Sequence, residues 1–96
     1  MGKSKTSNAD LLLRLYVAGN APNSLSAIGN ARAICAQHFP SAHEIEIVDL
    51  LEYPLRALAD GVVVTPTLLR LSPLPVRKVI GNLSDVNQVL LALAGK

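Results

Sequence analysis

The sequence has no tryptophan, one phenylalanine and two tyrosines. Bases of single-stranded nucleic acid stack on aromatic platforms, and this chain has too few aromatic rings to build one. There is a single cysteine, Cys35, so an internal disulfide is impossible and the CxxC knuckles of a zinc site are missing. Charge is sparse: 17% of residues are charged, the net charge is +2 and the pI is about 9.0, too mild for a polyanion binder. Long apolar runs are absent too. The longest, such as 62–64 and 89–94, fall far short of the roughly 20 residues of a membrane span. The first ten residues are polar, with Lys3 and Lys5, and lack the apolar stretch of a secretory signal. These absences point away from nucleic acid, metal, disulfide-scaffold and membrane roles, and toward the cytoplasm.

What remains is ordinary for a compact fold. Half the residues are apolar, with 6 glycines and 6 prolines as punctuation. At 96 residues the chain fits one small domain with a thin stability margin. Residues 1–10 read as a loose tail and 11–96 as the domain. Charge is unevenly placed: 44–60 carries Glu44, Glu46, Asp49, Glu52 and Asp60 against Arg56, whereas 70–78 carries Arg70, Arg77 and Lys78 with no acid. A dipolar surface suits a protein partner.

Periodicity sets the elements. Leu11, Leu13, Leu15 and Val17 share one face of a strand and Leu12, Arg14 and Tyr16 the other, the pattern of a central strand covered on both sides. Gly19 and Pro22 mark a strand-to-helix turn. A helix then runs to about His38, with Ala27, Ile28, Ala31, Ile34 and Cys35 on one stripe, and Pro40 ends it. Residues 44–50 read as a second strand, paired parallel to the first through a right-handed crossover. A short helix over 51–60 begins near Pro54, has Leu55, Leu58 and Ala59 as its apolar side, and is closed by Gly61. Residues 68–71 and 76–80 read as a hairpin. Ser84 is placed as the cap of a last helix bearing Val86, Val89, Leu90 and Leu93, stopped by Gly95.

The resulting order, βαβαββα, is the thioredoxin-like α/β arrangement. Thioredoxin-like redox proteins carry a CxxC where the first helix begins. Here that slot holds Asn20, Ala21, Pro22 and Asn23, so dithiol exchange is unavailable. Thr65-Pro66 sits where such folds place a cis-proline before the third strand.

The string Leu15-Tyr16-Val17-Ala18-Gly19-Asn20-Ala21-Pro22-Asn23-Ser24 closely resembles the start of KaiB-family proteins. So do Thr65-Pro66-Thr67-Leu68 and the run from Leu74-Pro75-Val76-Arg77-Lys78 through Ser84-Asp85. The resemblance covers residues 11–94. It implies a non-enzymatic clock protein, without cofactor, that binds the hexameric ATPase KaiC and modulates its phosphorylation state. Further partners it implies are KaiA and a clock histidine kinase. A KaiB-like sensor domain at the head of such a kinase is the similar alternative, set aside here because no kinase follows.

The family is also metamorphic. The resemblance implies a βαββααβ form that packs as a homotetramer, and a monomeric thioredoxin-like βαβαββα form that binds KaiC. Residues 62–71 mix β-branched residues with a proline, and short apolar runs do not choose between helix and strand. Pro66, Pro73 and Pro75 can each follow a cis or trans bond. In the last helix Ala92 and Ala94 stand where clock members carry a glycine and an acid. Alanine is favoured over glycine in a helix by roughly 1 kcal/mol, so the thioredoxin-like form is expected to gain.

Arg70, Arg77 and Lys78 match basic positions on the family's KaiC-facing side and are the candidate partner-binding residues. Glu46 replaces a family lysine, Gly61 another, and Ser26 an arginine, departures that weigh against KaiA capture and suggest a divergent paralogue. Two further readings compete. One is a monothiol redox protein using Cys35, with His38 a helical turn away. The other is a sensor module acting on a histidine kinase in trans. Neither His38 nor His43 has metal-ligand spacing, the Gly19–Asn20 loop lacks a phosphate-binding fingerprint, and Asn23 and Ser24 read as caps of the first helix.

Overall fold

The computed structural model describes residues 10–95; the expected tail at 1–10 lies, apart from Asp10, outside the described residues. The elements run β1 (Leu11–Val17), α1 (Pro22–His38), β2 (His43–Asp49), α2 (Pro54–Ala59), β3 (Thr67–Ser72), β4 (Arg77–Ile80) and α3 (Val86–Ala94). This is the βαβαββα order; residues 86–94 form a helix, as the thioredoxin-like form requires and the βαββααβ form does not. The sheet order is β2-β1-β3-β4. β1 pairs parallel with β2 and antiparallel with β3, and β3 pairs antiparallel with β4.

Strand alternation divides the core in two. Leu11, Leu13, Leu15 and Val17 pack with Ala27, Ala31, Ile34 and Cys35 of α1 and Val89 and Leu93 of α3. Tyr16, Val48 and Leu69 face the other way, against Ala57 of α2 and Val62. Two helices therefore cover one face of the sheet and a single short helix covers part of the other.

Several local expectations are corrected. Asp85, not Ser84, caps α3: its side chain accepts from the Gln88 amide at 3.2 Å. α1 starts at Ala21 without a side-chain cap; Ser24 instead folds back, its hydroxyl accepting from the Ala18 amide at 3.0 Å. Gly61 does close α2. With φ +71°, its amide donates to Leu58 and that of Val62 to Ala57, the Schellman pattern that favours glycine in a left-handed conformation. Gly95 stops α3 for another reason: its φ is −75°, but a Cβ there would sit on the Leu91 carbonyl oxygen. The bonds preceding Pro66, Pro73 and Pro75 are cis.

Candidate functional site

At the β1–α1 junction, where a redox protein of this fold holds its thiols, Asp49 organises the loop. Its Oδ1 accepts from the amides of Gly19 (3.1 Å) and Leu51 (3.0 Å). Cys35 lies elsewhere, buried in the helix α1 side of the core. Burial pushes its thiol up to about 11, the opposite of the lowered value a thiolate nucleophile needs. The monothiol reading loses its basis. Among the described residues no cluster of His, Cys, Asp and Glu could hold a metal, and no helix is long and apolar enough to cross a membrane.

The three basic candidates do not form one patch. Arg70 and Arg77 are register partners on β3 and β4, so they share a face, and Lys78 points to the opposite one. Arg70 is only 1% exposed. Its guanidinium donates to the carbonyls of Leu93 (3.2 Å), Gly95 and Pro75 (2.8 Å). Nε has no partner. Arg70 is therefore an internal anchor for the end of α3, where the helix dipole and free carbonyls favour a cation. It cannot touch a partner while α3 is docked. Arg77 and Lys78 stay exposed, and Lys78 Nζ donates to the Gly61 carbonyl at 3.1 Å.

The largest correction concerns α2. Its only buried residue is Ala57. Leu55 (78% exposed) and Leu58 (70%) face solvent, although helical spacing alone assigns them to the core. Leu51, Tyr53, Val63 (85%) and Val64 are exposed as well. Six large apolar side chains exposed within fourteen residues concentrate apolar surface at this end of the molecule, and such concentrations are often interaction sites. The signal available in the sequence was Ala57: a small residue opposite Leu55 and Leu58 lets the helix lie close to Tyr16.

Polar contacts fix α2 to the sheet. Arg14 of β1 bridges two carboxylates, with Nε 2.8 Å from Glu46 of β2 and Nη1 2.9 Å from Asp60 at the end of α2. Tyr16 donates its hydroxyl to the same Asp60 oxygen at 2.6 Å. Arg56 of α2 reaches the second Glu46 oxygen at 2.8 Å. The Arg14 hydrogen bond, then that of Arg56, lowers the Glu46 pKa. Asp60 is lowered chiefly by Tyr16 and next by Arg14. Burial, then the Asp60 carboxylate, raises Tyr16. The acidic half of the sequence dipole is thus partly neutralised by internal pairing, and its basic half partly buried as Arg70. The departure at Glu46 has a local role, since it serves both arginines.

Fold and site together define a thioredoxin-like domain with no thiol at the redox position and an apolar helix turned outward. The KaiB domain family matches residues 14–94. The circadian clock oscillator protein KaiB of Prochlorococcus marinus strain MIT 9312 is 43% identical over 82 residues, covering 85% of this chain and 78% of that protein. The clock oscillator protein KaiB1 of a Synechocystis species is 44% identical, covering 85% and 78%. In structure, the N-terminal domain of SasA from Synechococcus elongatus superposes with a TM-score of 0.75 at 22% identity, covering all of this chain and 94% of that domain. A thioredoxin from Halobacterium salinarum gives 0.74 at 20% identity, covering 93% and 77%. These two likenesses establish the fold. The chain belongs to the KaiB family of circadian clock proteins.

Proposed function

We propose that this protein is a non-enzymatic regulator that docks on a KaiC-type hexameric ATPase and modulates its phosphorylation state. The observation that carries the reading is the outward apolar segment from Leu51 to Val64, with Lys78 beside it and Arg77 on the neighbouring edge strand, in a KaiB-family domain. Lys78 is the basic side chain at the border of this apolar centre, while Arg77 projects from the other face of β4; polar charge at the edge of an apolar centre is how a specific protein interface is built. Arg70 holds α3 on the opposite face of the sheet. KaiA and a clock histidine kinase are the further partners, the first disfavoured by Glu46.

Population of two folds regulates binding. Ala92 and Ala94 both lie in α3, where alanine adds helix propensity and shifts the balance from a tetrameric βαββααβ form toward the monomeric binding form. A two-state balance of a few kcal/mol responds to changes of that size.

The test is co-elution with the KaiC-type hexamer of the same source in the presence of ATP, followed by size-exclusion chromatography over hours. Rapid formation of the complex is the expected result. Slow formation would keep the role and show a large non-competent population. No complex with an intact ring would overturn the reading, and a clock kinase would be tested next.

A further inference from the structure

Helix α2 has Pro54 at its first turn and the Gly61 closure at its end, but few other supports. It spans six residues, has no side-chain N-cap and no acid in its first turn, and buries only Ala57. A helix of this length is far below the roughly 12–15 residues at which isolated helices become marginal in water. Its two leucines contribute little to holding it, because both largely face solvent. Three things bind it to the body of the domain: Ala57 in the smaller core with Tyr16, Val48, Val62 and Leu69, the Lys78 bond to the Gly61 carbonyl just past its end, and the polar contacts of Arg14, Tyr16 and Glu46 with Arg56 and Asp60. Those contacts act at both ends of its last turns. Arg56 is tied to β2 through Glu46, and Asp60, the C-cap residue, is tied twice to β1.

We propose that Arg14, Tyr16, Glu46, Arg56 and Asp60 form a clamp that positions α2, so that Leu55 and Leu58 are presented to the partner as a rigid ridge. Arg14 and Asp60 are its principal positioning residues. Arg14 is the one side chain that joins both carboxylates, and Asp60 receives both bonds from β1. The arrangement separates two tasks that the core of a larger domain would combine. Apolar side chains of α2 are left free for recognition, and polar ones hold the backbone. Loss of the clamp therefore costs competence before it costs the fold: α1, α3 and the main core do not depend on it. This inference rests on the docking role of the α2 surface for its binding consequence, but the positioning itself does not.

The experiment has two arms. In the first, amide hydrogen exchange is followed by NMR in the full chain and in Arg14→Met, Arg14→Lys and Asp60→Asn. Protection of residues 57–62 is expected to fall by roughly tenfold or more in Arg14→Met, and to fall less in Arg14→Lys, which keeps the charge but cannot span both carboxylates. Amides of α1 should change by less than about threefold, since they sit on the other face. In the second arm, association with the KaiC-type hexamer is timed. A helix that is ordered only part of the time lowers the association rate by the competent fraction and leaves dissociation nearly unchanged. Leu58→Ala, which removes a contact and leaves the clamp, should instead speed dissociation. Unchanged protection of α2 in both Arg14→Met and Asp60→Asn would overturn the clamp. If Arg14→Met does not fold, Asp60→Asn and Tyr16→Phe decide the same question. Failure of the unmodified protein to bind the ring would strike the docking role and leave the exchange arm to judge the clamp alone.

Discussion

A charged side chain and a thiol, both buried, show how far burial redirects residue chemistry. Arg70 looks like a surface cation in the sequence, yet it spends its charge on three backbone carbonyls. Replacing it with methionine leaves the carbonyls of Leu93, Gly95 and Pro75 without this donor, and an orphaned acceptor at the buried Leu93 is expensive. Urea denaturation of Arg70→Met is expected to show a loss of about 2–3 kcal/mol, and Arg70→Lys an intermediate loss because a single ammonium cannot reach in a fork. An unchanged midpoint would mean that the burial cost of the guanidinium cancels its hydrogen bonds. Cys35 gives the second case. With its thiol raised to about 11 by burial, its labelling by a disulfide reagent at pH 8 should run roughly 100-fold slower in the native protein than in urea. Comparable rates would show that α1 opens freely.

Between elements, the attachment of α2 has a pH signature of definite sign. Glu46 and Asp60 are lowered in the fold, so the unfolded chain binds more protons in acid. The stability they contribute is present above their unfolded values of about 4.3 and 3.9 and disappears as pH falls through the lowered values. Tyr16 and Cys35 are raised, so their contribution is present below the unfolded values and lost as pH rises past about 9 to 10. Urea midpoints should therefore be flat from about pH 5 to 8 and fall on both sides. In Arg14→Met the acid limb should become shallower. An acid limb of undiminished slope would show that the two carboxylates owe nothing to Arg14. For α3, Ala92→Gly is expected to cost about 1 kcal/mol. Backbone shifts would report whether residues 86–94 then stay helical; a strand there already in the unmodified protein would contradict the preference assigned to Ala92 and Ala94.

For the molecule as a whole, the two surviving basic residues are expected to act on encounter rather than on the strength of the finished complex. Arg77→Glu and Lys78→Glu should slow association with the KaiC-type ring several-fold at low salt, and the difference should shrink as salt screens it. A salt-independent effect would place these side chains in the buried centre of the interface instead. Arg77 and Lys78 project from opposite sides of β4, so unequal effects of the two substitutions would show which side of that edge the ring approaches. Greater loss at Lys78 is expected, because Lys78 stands beside the end of α2.

Much of this protein was decided locally. Alternation in 11–17 made a central strand, the spacing of Ala27, Ala31, Ile34 and Cys35 made an inward helix stripe, and Gly61 closed α2, because period and left-handed backbone preference are properties of neighbouring residues. Family membership was legible for the same reason, in the blocks around Leu15–Ser24 and Leu74–Asp85. What the sequence could not decide was direction and pairing. Helical spacing says that Leu55, Leu58 and Ala59 share a side, not that the sheet takes the Ala57 side. Charge counts reveal neither that Arg14 would join Glu46 to Asp60 nor that Arg70 would be enclosed by the end of α3. Each of those outcomes depends on which groups distant in the chain arrive in the same place, and burial and screening are fixed only there.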